Sequence, residues 1–159
     1  MPKRTPSATL EEAYDEAVRM LARKARTAAE VAAALEARGA GSELVESVVA
    51  RLKSQRHLDD AELASDEAFA LVDGKGLAPS LALHKIVARG IAEAVAKESV
   101  EAAREGRTDA ELCARALAKK TRGKQLDPAL VAKEGRTLAR LGYEEDLVAR
   151  ALEQALHAE

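Results

Sequence analysis

Residues 108–117 read Thr108-Asp109-Ala110-Glu111-Leu112-Cys113-Ala114-Arg115-Ala116-Leu117. A hydroxyl followed three residues later by a glutamate is a capping box. The Thr108 oxygen accepts an orphan N–H of the first helical turn, and the Glu111 carboxylate reaches back to the cap. Leu112, Cys113, Ala116 and Leu117 then fall at helical spacing. The same signature stands upstream as Asp59-Asp60-Ala61-Glu62, with aspartate as cap, and again as Thr9-Leu10-Glu11-Glu12. The intervals are 50 and 49 residues. A second marker keeps the same period: Gly39 after Arg38, Gly90 after Arg89 and Gly142 after Leu141, at intervals of 51 and 52 residues. Apolar residues follow each glycine at five positions (Leu44, Val95, Leu147) and at ten (Val49, Val100, Leu152). Two independent markers in one period define an internal repeat.

Each period reads as three helices. In the first, Tyr14, Ala17, Val18, Leu21 and Ala25 share a helical face. Thr27 with Glu30 caps a second helix that ends at Gly39, and Ser42 caps a third carrying Leu44, Val45, Val48, Val49 and Leu52. The second period runs from Asp59 to about Val72 and breaks at Gly74-Lys75-Gly76. It resumes at Pro79 with Leu83, Ile86 and Val87 inward, turns at Gly90, and closes with Val95 and Val100. In the third, a connector spanning Lys119-Lys120-Thr121-Arg122-Gly123-Lys124 leads to Pro128, which suits a first helical turn. That helix carries Leu130, Val131, Leu138 and Leu141, and the last carries Leu147, Val148, Ala151, Leu152 and Leu156. No segment alternates as a strand does. The expectation is an all-α chain: a tail over 1–8, then three-helix repeats over 9–57, 58–107 and 108–159, leaning on one another as an elongated, curved array.

With 159 residues the chain is long enough to fold without disulfide or metal staples. Aromatic residues make up 2%, supplied by Tyr14, Phe69 and Tyr143. That is too few for binders that stack bases on exposed rings. A lone cysteine, Cys113, fits a reducing compartment and lies on an apolar stripe, where it reads as core rather than nucleophile. The first residues lack the apolar stretch of a signal peptide and no run could span a membrane, so the protein is expected to be cytoplasmic.

No constellation announces catalysis. Asp59-Asp60 reads as a helix cap with a first-turn acid. His57, His84 and His157 lack partners at metal-ligand spacing. Gly74-Lys75-Gly76 lacks the frame of a phosphate loop and reads as a hinge. The expectation is a non-enzyme with no cofactor and no metal.

Charge is more informative. The net charge is −2, but residues 1–57 carry +2, residues 58–107 carry −4, and residues 108–159 balance to zero. At 100° per residue Arg19, Arg23 and Arg26 fall within about 60° of one another, as do Lys133, Arg136 and Arg140. The second stripe lies beside Lys119, Lys120, Arg122 and Lys124. The denser cluster suits phosphates or acidic side chains; a solvated helix face is the plain alternative.

With the repeat in view, the chain resembles the RecX family of bacterial modulators of the RecA recombinase. Ala22-Arg23-Lys24, the Thr27-capped helix and Arg38-Gly39 match the family's opening pattern. Leu58-Asp59-Asp60 matches its LDD. Gly74-Lys75-Gly76 with Ile86 and Arg89-Gly90-Ile91 resembles its central motif, and Leu141-Gly142-Tyr143 followed by Leu147, Val148 and Ala151 its close. The resemblance implies a monomer that lies in the groove of a RecA filament on single-stranded DNA, inhibits ATP turnover and strand exchange, and so modulates DNA repair and recombination. Where the family carries an aromatic and arginines after the LDD, this chain has Leu63-Ala64-Ser65. Contacts are therefore expected from repeats one and three, including Lys24, together with Lys75, Lys85 and Arg89. Two other readings stay open: a helix-turn-helix regulator binding single- or double-stranded DNA directly, which the acidic net charge disfavours, and an adaptor for an unrelated protein.

Overall fold

The computed structural model describes residues 9–158; the tail expected over 1–8 lies outside them. Among the described residues there are nine α-helices and no strand: α1 (Leu10–Arg23), α2 (Ala28–Ala37), α3 (Ser42–Ser54), α4 (Asp60–Phe69), α5 (Pro79–Ala88), α6 (Glu93–Arg104), α7 (Asp109–Thr121), α8 (Pro128–Arg140) and α9 (Glu145–His157). A π-helical turn, Ala70–Gly74, extends α4. The helices pack in threes: α1 and α2 on α3, α4 and α5 on α6, and α7 and α8 on α9.

The helix starts are set by the caps. Thr9 Oγ1 accepts the Glu12 N–H at 3.2 Å and Asp59 Oδ1 the Glu62 N–H at 3.0 Å. Thr27 with Glu30 and Thr108 with Glu111 form complete capping boxes. Ser42 corrects the expectation. Gly41 takes the cap position in extended conformation, and Ser42 is the first helical residue. On α5 the inward line runs through Pro79, Ala82 and Ile86, leaving Val87 a further step round the helix and exposed. Leu156, expected inward, is exposed on the last turn of α9, and Ala25 is exposed beyond the end of α1. Lys119, Lys120 and Thr121 belong to the last turn of α7, not to a connector. The helix stops at Arg122, which adopts a left-handed conformation before Gly123.

The apolar interior is divided. One core gathers Ala13, Ala17, Met20, Val31, Leu35, Val45, Val48 and Leu52 from the first three helices, with Leu58 from the segment that follows them. A second runs continuously from Ala64 through Ile86, Val100, Cys113 and Leu138 to Ala151, fusing the other six.

The recurring glycines explain how the units join. Thr27, the N-cap of α2, donates its hydroxyl to the carbonyl of Arg89 at 2.8 Å. Ala78, the N-cap of α5, donates its N–H to the carbonyl of Leu141 at 2.8 Å. Arg89 and Leu141 are the residues just before Gly90 and Gly142. So the turn after the second helix of each later unit seats on the start of the second helix of the unit before it. The seat is tight: a Cβ at Gly90 would lie 2.4 Å from Ala29 Cβ, and one at Gly142 2.8 Å from Leu81 Cβ.

Candidate partner-binding site

The first joint absorbs one of the expected contact residues. Arg89 is only 21% exposed in its side chain, and its guanidinium pairs with Glu30 at 2.8 Å and Glu67 at 3.5 Å. It also donates to the Ala25 carbonyl at 3.4 Å. Asp60 Oδ1 accepts the Ala28 N–H at 2.9 Å in the same joint. Arg89 therefore clamps unit one to unit two and is not presented to a partner. Burial pushes the Glu30 carboxyl up, but the Thr27 N–H and the Arg89 guanidinium outweigh burial and hold it below its ordinary value. A carboxylate so depressed contributes stability above its unfolded pKa, and that contribution is lost as pH falls through the folded value. The joint is expected to weaken below about pH 4.3. Glu30→Gln should flatten the acid side of a stability profile, measured as urea midpoints over roughly pH 3–6; an unchanged slope would remove Glu30 from the clamp.

The first basic stripe does not form as expected. Arg19 and Arg23 lie exposed on α1, but the helix ends at Arg23 and the chain is extended at Lys24. Arg26 falls in the connector that sets up the Thr27 cap, with its Nε buried and without a hydrogen-bond partner. Helical angles do not carry across that break. Lys85 is exposed on α5, one turn before the C-cap Arg89. Lys133, Arg136 and Arg140 do share an exposed face of α8.

The remaining candidates converge. Lys75, just past the π-helical turn, meets Lys119, Lys120, Arg122 and Lys124, from the end of α7 and the residues after it, around a cleft of about 910 Å³. Its floor is apolar, from Leu77, Ala116 and Leu141, and no acidic residue lines it. The fold holds the two walls together. Gly76, at φ +74°, lets the chain pass Ala116, where a Cβ would lie 3.2 Å from the Ala116 Cβ. Asp73 accepts from Arg115 at 3.0 Å through its carboxylate, and from Lys119 Nζ at 2.5 Å through its backbone carbonyl. Lys119 is thus partly engaged. Lys75, Lys120, Arg122 and Lys124 make no ion pair among the described residues. Such a cleft attracts anions by Coulombic force and by the donors that ammonium and guanidinium groups supply. Sequence spacing had joined the α7 end to the α8 stripe; the folded cleft joins it to Lys75 instead.

Other reactive groups are quiet. Cys113 is buried, and burial pushes its thiol up to about 11, so it stays protonated at neutral pH. His57, His84 and His157 are exposed and far apart in sequence. Among the described residues no helix is long and apolar enough to cross a membrane.

Comparison with known proteins gives this arrangement a context. Residues 13–52 match the family model described as RecX, first three-helix domain. The chain is 31% identical over 161 residues to a regulatory protein RecX of Streptomyces coelicolor, covering 99% of this chain and 83% of the relative. A regulatory protein RecX of Streptomyces lividans matches with the same identity and coverage. Among solved structures, RecX from Lactobacillus salivarius superposes with a TM-score of 0.68 at 16% identity, over 92% of this chain and 96% of that one. A second structure, of a regulatory protein RecX, gives 0.64 at 18% identity, over 91% and 71%. At those identities the structures speak for the fold.

Proposed function

The chain belongs to the RecX family of regulatory proteins, and from that premise we propose that it docks on the filament a RecA-type recombinase forms on single-stranded DNA. There it represses ATP turnover and strand exchange and so modulates DNA repair and recombination. It acts as a cytoplasmic monomer built from the three units 9–57, 58–107 and 108–159. The observation that carries this reading is the match over nearly the whole chain to regulatory relatives. The shape supports it. An elongated, curved row of three-helix units suits a groove that winds along a filament, and many small contacts along such a row add up to specific association. The charge distribution supports it too, because Lys75 and four cations of the third unit converge around one cleft while the second unit is acidic overall.

The test is recombinase ATPase on single-stranded DNA with this protein titrated in. Inhibition is expected well below one protein per recombinase subunit, since a regulator that blocks a growing polymer acts on many subunits at once. Unchanged ATPase, with folded protein and filaments visible by light scattering, would remove the recombinase and move weight to direct DNA regulation or to an adaptor role.

A further inference from the structure

The way the units join gives the array two complementary ends. In each unit the chain runs along the first helix, back along the second and forward along the third. One end of a unit therefore carries the close of its first and third helices and the start of its second. The other end carries the start of the first and third and the close of the second. At the first joint these two kinds of end meet: the start of α2 receives the start of α4 through Asp60 and the close of α5 through Arg89. At the second joint the start of α5 receives the close of α8 through Leu141. The outer ends of the array are one of each kind. We propose that the outer end of unit three seats unit one of a second copy, so that chains join head to tail in a row.

The seat is an apolar groove of about 580 Å³ among the close of α7, the segment before α8 and the close of α9. Leu117, Leu126, Ala151, Ala155 and Leu156 line it, and Leu156 is 51% exposed. It lies on the end that, in units one and two, receives the next unit. Unit one carries the matching head. Arg38 and Gly39 close α2 as Arg89 and Gly90 close α5. Gly39 has φ +90° and Gly90 φ +87°, and Arg38 pairs with Glu16 as Arg89 pairs with Glu67. Leu10, 38% exposed, follows the cap Thr9 as Asp60 follows the cap Asp59. The leucine suits the seat. Asp60 accepts the N–H of Ala28, the first residue of α2, but the first residue of α8 is Pro128, which has no N–H to offer. At the second joint, where Pro79 stands in that place, the matching Asp109 pairs instead with Arg104. Leu10 brings no carboxylate that Pro128 would leave unsatisfied. Charge agrees. Glu11, Glu12 and Glu43 stand in first helical turns at the head, and Lys119 and Lys120 in the last turn of α7 at the seat, followed by Arg122 and Lys124. Unlike ends attract and like ends repel, which selects an open head-to-tail row over a symmetric pair.

A groove of this size makes a weak contact. Chains stay monomeric when dilute, and rows form when copies are crowded or held in line on a common scaffold. The proposal goes beyond filament docking, and its test contains no recombinase, so each can fail alone. Sedimentation velocity of the full chain from about 10 µM to about 1 mM should give a weight-average coefficient that keeps rising past the dimer value. Leu156→Asp at the seat and Leu10→Asp at the head should each abolish the rise. Mixed in equal amounts, the two variants should form a dimer and stop there, because one retains the head and the other the seat. Both side chains are exposed, and an acid in a first helical turn is favoured by the helix dipole, so the variants should keep the wild-type melting profile. Ala155→Glu, exposed in the same groove, repeats the seat test should Leu156→Asp melt early. Phe69→Asp, which removes an exposed apolar side chain between the two ends, should leave the rise intact. A flat wild-type coefficient, a wild-type curve that levels at the dimer, growth that survives in both the head and the seat variants, a mixture that stays monomeric, or loss of growth in Phe69→Asp would each overturn the assignment.

Discussion

Gly90→Ala is expected to lower the unfolding free energy by about 3 kcal/mol, the largest effect of any single methyl addition in this chain. Two costs combine. Gly90 has φ +87°, and a non-glycine residue held in that region costs on the order of 1–2 kcal/mol. The added carbon would also stand 2.4 Å from Ala29 Cβ, a distance that forces units one and two apart, and overpacking of that kind costs roughly 1–3 kcal/mol. Neither atom is the far end of a flexible side chain, so the clash has no cheap escape. Gly106→Ala is the control. Gly106 has φ +73°, yet nothing lies within 4 Å of a Cβ there, so only the conformational cost of about 1 kcal/mol applies. Urea unfolding of both variants, compared at equal m, separates the terms. Equal losses would mean that the glycine is needed for its turn and not for the joint. A larger loss at Gly90 ties the repeat's glycine period to the spacing between units. Under the proposed filament docking it also predicts weaker inhibition, because a splayed joint would misplace unit one along the groove.

The sequence carried the helices well because their signals are local. A threonine or aspartate three residues before a glutamate satisfies backbone donors within one turn, and four such starts appear where that chemistry puts them. A positive-φ glycine ends a helix for reasons contained in its own residue, as at Gly39, Gly90 and Gly142. What the period is for was not legible. The second half of each joint lies far along the chain: Thr27 meets Arg89 62 residues away. Arg89 looked like a free cation because Glu30 and Glu67 come to it only on folding. Lys119 and Lys120 looked like connector because glycine follows shortly after, although lysine is a good helix former and the stop is set at Arg122 and Gly123. Arg26 failed for the opposite reason, since the Thr27 cap demands extended backbone before it and ends the helical register there. The cleft lay between these limits. Its α7 side was visible as a run of charge, but Lys75 joins it only through the packing of Gly76 on Ala116.

The division of the interior leads to the second large effect. Leu52 is fully buried in the core of unit one, and Leu138 is fully buried in the core shared by units two and three. Truncating either to alanine should cost about 3 kcal/mol, but the consequences should differ in kind. Unit one is small and meets its neighbour through hydrogen bonds, the Arg89 clamp and the close seat of Gly90 on Ala29, while its buried apolar core stays separate from the core of the other two units. In Leu52→Ala it is expected to unfold first, splitting the urea transition in two while amides of α4–α9 keep their protection from hydrogen exchange. In Leu138→Ala the fused core should weaken as a whole, with α4–α9 losing protection together. A single coincident transition for Leu52→Ala would mean that the polar joint transmits stability as strongly as a continuous core does. If the transition splits, unit one is an arm whose angle is set by charge and hydrogen bonds, and it can adjust to a curved filament while the rest of the array stays rigid. Under the proposed filament docking, holding one end by contacts that break and re-form at low cost would help the row follow a helical polymer. Salt should then loosen the arm before it loosens the core, because the Arg89 pairs are screened and the apolar contacts are not.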